Sequence, residues 1–303
     1  MGDTSATIVL AGATGDLGSR IGREVLQLGG QLRVLVRSGT AERLTAWITD
    51  EVDVREVDFT DTQALREACR GGSCVVSALS GLEPVVVEIQ SRLLDAAVGA
   101  GVPRFIPSDF SIDFTKLPRG TNRNLDLRKN FQYRLEAAPI RATSVLNGMF
   151  THLLNEEAPF IVRPIRRVIY WGSADQPLDF TTIDDTATFT ARAALDTEAP
   201  RFLRIAGESL SARQLRDAAT AATGDNYRLL HVGGVGLLST LIDVTRLIVP
   251  RRGEVYPPWQ GMQYMRNMYS GRAKLSPLDN ARYPDIRWTP VAEVLARAQS
   301  TGE

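Results

Sequence analysis

Three glycines spaced three apart, Gly12, Gly15 and Gly18, stand near the start of a chain of 303 residues. Glycine suits a turn that must run tight, bring backbone N–H groups up to a pyrophosphate and let a helix pack closely on a strand. Thr14, Asp16 and Leu17 lie in the same turn and are expected to supply further contacts to a dinucleotide. A second chemical signal is Arg37-Ser38, at the end of the strand-like run QLRVLVR. An acidic residue there takes a ribose hydroxyl in NAD-binding units, whereas a guanidinium attracts a 2′-phosphate and can stack on adenine. The expected cofactor is therefore NADP(H). His152, one of two histidines, is a spare acid-base candidate.

These residues need elements to position them. Thr7 to Ala11 is short and β-branched, as in a strand buried on both faces of a parallel sheet, and Leu17, Ile21, Val25 and Leu28 recur at helical spacing. Residues 51–59 read as a third strand, with Asp58 and Phe59 at the turn that borders adenine in such folds. A fourth strand, 73–79, exits through small residues, so Ala78 and Leu79 are expected beside the cofactor. A crossover helix over 84–100 leads to a fifth strand, 104–107, and to Ser108-Asp109-Phe110, where Ser108 is expected at the nicotinamide half. The polar stretch 111–124 has the length of a functional loop. A helix over 125–137 and a sixth strand over 142–146 follow, with Asn147 expected on the cofactor and Met149 and Phe150 on the substrate side.

This alternation predicts an α/β fold, a Rossmann-type doubly wound parallel sheet with right-handed crossovers. The expected division is a dinucleotide-binding domain over 1–150 and a smaller α/β substrate-side lobe over 151–303, with some segments returning to the first domain. In the second part, a helix over 185–195 is expected to start at a cap on Asp184 or Asp185, and another after Ser211. Tyr256, Trp259, Tyr264 and Tyr269, interleaved with Met262, Met265 and Met268, fit either an adaptable apolar pocket or plain core.

Lys plus Arg and Asp plus Glu are 35 each, which argues against nucleic acid and membrane surfaces as partners. Cys69 and Cys74 are spaced for neither zinc nor a redox pair, and with two histidines no metal site is expected. The opening MGDTSA lacks signal-peptide regions, Ala6 breaks the myristoylation pattern, and the apolar run 229–249 is too polar to span a bilayer. A soluble cytoplasmic protein is the expectation.

The motifs GATGDLG, VLVRSGT, VPRFIPSDF, ATSVLNGMF and YPDIRWTPVAEVLAR, in this order, resemble the NmrA-like and isoflavone-reductase-like group of atypical short-chain dehydrogenases. The resemblance implies an NADPH site. In its reductase branch it implies reduction of small aromatic or carbonyl-bearing metabolites, and in its regulatory branch NAD(P) sensing with a protein partner and no turnover. The reductase branch carries a lysine on the helix after the long loop, in place of the Tyr-x-x-x-Lys pair of ordinary short-chain dehydrogenases. Here Tyr133 is followed four later by Ala137, and counting back from ATSV puts Arg128 on the lysine position. Helical geometry sets Arg128 at the edge of the stripe Leu127, Phe131, Leu135 and turns Lys129 away, as a solvated lysine. An arginine keeps its proton, so Arg128 is expected to stabilise an oxyanion or hold a carboxylate. Phe110, Met149, Phe150 and His152 would then shape the substrate pocket.

Overall fold

Strands β1 (Thr7–Ala11), β2 (Gln31–Val36), β3 (Asp53–Glu56), β4 (Cys74–Ser77), β5 (Arg104–Ile106) and β6 (Arg141–Ala142) form one parallel sheet in the order β3-β2-β1-β4-β5-β6 in the computed structural model. The structure describes residues 6–44, 47–154 and 160–300; the opening MGDTS lies outside them. The strand order reverses between β1 and β4, the switch point at which doubly wound sheets bind ligands. The chain forms two compact units. One holds the chain up to Phe110 with Leu127–Val145 and Thr186–Leu203; the other holds Ser111–Asp126, Leu146–Asp185 and the chain from Arg204.

In the first unit, β1 is apolar because both its faces are covered: Ile8, Val9, Leu10 and Ala11 are fully buried. Helix α1 (Asp16–Gln27) buries Gly18, Ile21, Gly22 and Val25. The expected stripe is thus rotated. Leu17 is half-buried and Leu28 exposed, because glycines, with no side chain to hold the helix off, form half of the packed face. On the other face, α2 (Thr62–Cys69) is capped by Asp61, which accepts from the N–H groups of Gln63 and Ala64. The crossover expected as one helix starts as a π-helical turn, Pro84–Ile89, before α3 (Gln90–Gly99). Both cysteines are buried free thiols, and burial pushes each up to about 12.

The sixth strand also breaks in two. After β6, Thr143 donates to Phe105 O (3.0 Å), but Ser144, which opens β7 (Ser144–Leu146), donates to Arg201 O (2.8 Å). The chain therefore leaves the sheet at Ser144. Helix α4 (Arg123–Ala137) lies between β5 and β6, with Phe131 and Leu135 buried. Helix α5 (Ile183–Leu195) begins on Thr182, whose hydroxyl accepts from the Asp185 N–H (3.0 Å), and not on either aspartate. The Asp185 carboxylate is instead bonded by the N–H and hydroxyl of Thr289. At the other end of α5, buried Arg104 donates to the carbonyls of Ala193 (2.8 Å) and Ala194 (3.0 Å), serving acceptors the helix itself leaves open.

The second unit holds two small sheets and the remaining helices. Met149–Phe150, Leu178–Thr181 and Glu208–Leu210 make one sheet; Ile161–Val162, Arg167–Tyr170 and Arg228–His231 make the other. The apolar run 229–249 is divided between the last of these strands and the helix Val235–Ile248. Among the described residues no helix is long and apolar enough to cross a membrane. The aromatic and methionine segment forms the helix Pro258–Tyr269, in which Trp259, Met265, Met268 and Tyr269 are buried, so most of it is core.

The stretch 111–124 is polar but packed down. Asp113 is fully buried, accepts from Arg204 Nε (2.8 Å) and Thr115 Oγ1 (2.5 Å), and lies 3.2 Å from Lys116 Nζ. Burial works to raise its pKa, but the bonds from Arg204 and Thr115 and the two cationic charges outweigh it and hold the carboxyl below its usual value. A depressed folded pKa means that the stabilisation is present above the unfolded value of about 4 and is lost as pH falls through the folded one. Asp113→Asn should cost about 3 kcal/mol at pH 7, since it removes the charge that the part-buried Arg204 faces. Urea unfolding at pH 7 and pH 3 measures this, with the gap between variant and parent shrinking at pH 3.

Candidate functional site

The glycine turn assigns each glycine a separate task. Gly12 has φ +92°, and a Cβ there would lie 2.6 Å from Ala78 O, so only glycine lets the turn pass the exit of β4. At Gly18 a Cβ would lie 2.1 Å from Gly12 O, which fixes the helix directly against the turn. Gly15 donates to Gly12 O (3.0 Å), and the nearest atom to an added Cβ is that same oxygen at 3.4 Å. Gly15 is also the N-cap of α1 and brings no side-chain bond, so glycine leaves the first N–H groups of the helix uncovered. The Asp16 carboxylate is bonded by Arg20 Nε (2.7 Å), which offsets a negative charge near any phosphate. Thr14 and Leu17 are half-buried beside them. A cradle of this shape fits a pyrophosphate.

At the end of β2, Arg37 and Ser38 are exposed. The turn is closed by Thr40, whose N–H and hydroxyl both donate to Arg37 O (3.0 and 2.6 Å). Gly39 N–H donates to Glu56 Oε2 (3.2 Å), so an acid shares the turn with the guanidinium. Asp58 accepts from the N–H and the hydroxyl of Thr60 (both 2.8 Å), and these bonds hold its carboxyl below the usual range. Phe59, expected at adenine, is 6% exposed and packs with Val57 and Leu65.

At the exit of β4, Ala78 N–H donates to Ala11 O (2.8 Å), which ties it to the glycine turn. Ser108 Oγ donates to Leu79 O (2.6 Å), while Ser108 N–H donates to the fully buried Gln90 side chain (2.8 Å). Gln90 was not singled out in the sequence. The π-helical turn brings it inward, and its amide also donates to Val86 O (2.9 Å). Asp109 and Phe110, next in the chain, are both buried. Burial pushes the Asp109 carboxyl up, against a Ser144 hydrogen bond and the charges of Arg128 and Arg201 that lower it. Arg128 is half-buried on α4, and so is Lys129, which is not the solvated lysine expected from the helical wheel.

The other expected residues belong to the second unit. Asn147 is fully buried; its N–H donates to Ser111 O (3.0 Å) and its carbonyl accepts from Thr181 Oγ1 (2.6 Å). Its side-chain amide has no hydrogen-bond partner among the described residues, a cost that a polar ligand would relieve. Met149 and Phe150 are half-buried. His152 is exposed, 5.8 Å from the Phe150 ring. Among the described residues no group of three or more His, Cys, Asp or Glu could hold a metal ion.

The sequence profile of the NmrA-like family matches residues 4–254. The chain belongs to that family. The NmrA-like chain is 29% identical to pinoresinol reductase 1 of Arabidopsis thaliana, over 65% of its own length and 68% of the relative's. It is 25% identical to the oxidoreductase swnN of Metarhizium robertsii, over 94% and 95%. Among solved structures, AtPrR2 with NADP+ and (+)-pinoresinol superposes with a TM-score of 0.79 at 21% identity, covering 98% of this chain and 99% of that one. The Rossmann-type fold of this NmrA-like chain is thus shared over nearly its whole length with a structure solved with NADP+.

Proposed function

We propose that the protein is an NADPH-dependent reductase of a small aromatic or carbonyl-bearing metabolite. The observation that carries this is the cradle at Gly12, Gly15 and Gly18, which a Cβ would fill at two of its three positions, in a chain whose relatives include a reductase and an oxidoreductase by name. The glycine turn holds the pyrophosphate, Arg37 and Ser38 the 2′-phosphate, and Leu79 and Ser108 the nicotinamide half. Bound NADPH supplies a hydride equivalent. Arg128 holds the negative charge that develops on the acceptor oxygen until solvent protonates it. In the second unit, Met149 and Phe150 offer half-buried apolar surface suited to an aromatic ring. The proposed location is the cytoplasm, in keeping with two free buried cysteines.

The test is consumption of NADPH across a panel of quinones, enones and phenolic benzylic ethers. Turnover of at least one class is expected, with Arg128→Met lowering kcat by about 100-fold, the scale of one oxyanion contact. If no class consumes cofactor while capture of a protein partner depends on NADP+ against NADPH, the family's sensor reading replaces this one.

A further inference from the structure

One helix of the second unit is apolar on two faces. Val235–Ile248 turns Leu238 and Ile242 into the core, yet Leu237, Leu241, Val244, Leu247 and Ile248 stand between 38% and 83% exposed on its other side. The outer face does not hold the helix in place. Arg246 lies over the Trp259 ring at 5.3 Å, and the Trp259 indole donates to Pro250 O (2.9 Å), two residues past the helix end, so the helix is fastened from within. What remains outside is apolar surface with no structural task in the unit, and water covers it at a cost that grows with its area.

Spacing and charge define what fits there. Leu237, Leu241, Val244 and Ile248 follow one another at four, three and four residues, the seam of two helices packed side by side. Four, three, four reads the same from either end. An antiparallel copy of the helix, related by a twofold axis between Leu241 and Val244, therefore sets Leu237 against Ile248 of the partner subunit and Leu241 against Val244 of the partner subunit. Charges stay out of this seam: on the helical wheel Asp243 and Arg246 both lie more than about 100° from its centre. A charged partner finds nothing on the stripe to recognise, whereas an identical stripe matches it residue for residue. The five exposed side chains present on the order of 500 Å² per copy, large for an apolar patch on a monomer. Joining two such faces removes about 1,000 Å² from water, the size at which a specific interface becomes stable.

We propose that the outer face of Val235–Ile248 is a twofold interface between two copies of this chain, antiparallel and centred between Leu241 and Val244. The interface is independent of the reductase reading, since none of its residues belongs to the cofactor site.

Sedimentation velocity of the full chain, from low to high micromolar concentration, should show a reversible dimer. Val244→Glu sets two carboxylates beside the axis and should raise the dimer Kd by about 100-fold or more. If Val244→Glu does not fold, Leu241→Lys makes the same comparison. Disulfide trapping reads the register, because the two natural cysteines are buried. Leu237→Cys mixed with Ile248→Cys and oxidised with copper phenanthroline should give a mixed disulfide. Either variant alone should give almost none, because its counterpart lies at the far end of the helix. A chain that stays monomeric at every concentration overturns the interface, and binding of that monomer to phosphatidylserine vesicles would assign the face to a lipid surface instead. A dimer that both charge substitutions leave intact overturns it too, and so do disulfides that form in the single variants as readily as in the mixture.

Discussion

Gly18→Ala is expected to abolish NADPH binding and to cost the fold as well. Its Cβ would lie 2.1 Å from Gly12 O and 2.7 Å from Gly12 C, both backbone atoms of the turn itself. Neither can yield unless β1, the turn and α1 separate. Overpacking against backbone of this kind costs about 3 kcal/mol or more, with a fall of about 5–10 °C in Tm. If the turn opens instead, the same energy appears as a loss of more than about 100-fold in NADPH affinity. Gly15→Ala is the control. Gly15 has negative φ, and its Cβ would meet only Gly12 O at 3.4 Å, so the Tm should stay within about 2 °C of the parent. The methyl would occupy the space assigned to phosphate, so affinity should still fall, by about 10-fold or more. Thermal melting and fluorescence titration of the two variants separate the structural glycine from the ligand-facing one. A Gly15→Ala variant that binds NADPH like the parent would remove the pyrophosphate from this turn.

Arg37→Glu should invert the preference between cofactors. The guanidinium is exposed at the end of β2, on a turn closed by Thr40 and bonded by Glu56. Reversing its charge removes an attraction to the 2′-phosphate and installs a repulsion, together about 3 kcal/mol at low salt, or about 100-fold in the NADPH Kd. NADH, with a hydroxyl at that place, should change by only a few-fold. The difference should shrink with added salt, as an exposed charge requires. Glu56→Gln should move the other way and tighten NADPH by a few-fold, because it removes the acid that shares the turn. Titrations of both nucleotides at two salt concentrations measure all of this. Equal losses for NADPH and NADH in Arg37→Glu would mean that the side chain does not discriminate at the 2′ position.

The parts of the site that were legible in the sequence are local. Strand, glycine turn and helix follow one another within about twenty residues, and each announces itself through periodicity or through the backbone freedom of glycine. Arg37 was legible for the same reason, as the end of a short apolar run. The supporting residues were not. Gln90 meets Ser108 across 18 residues, Ser144 meets Asp109 across 35, and Arg201 meets Ser144 across 57. No spacing rule joins positions so far apart, and each residue type alone is unremarkable. The π-helical turn that carries Gln90 inward and the break at Thr143 that frees Ser144 are tertiary outcomes of what each segment packs against. Lys129 shows the converse: local pattern put it in water, while packing half-buries it.

The claim that the protein reduces a small molecule with NADPH meets its most direct test in a single turnover. Enzyme loaded with NADPH deuterated at one face of the nicotinamide C4 is mixed with the acceptor panel, and the product is analysed by mass spectrometry and NMR. One deuterium is expected on a carbon of an aromatic or carbonyl-bearing acceptor, delivered from one face of the cofactor only, at a rate that falls about 100-fold in Arg128→Met. Intact bound NADPH after exposure to every acceptor, with no deuterium in any of them, would contradict it.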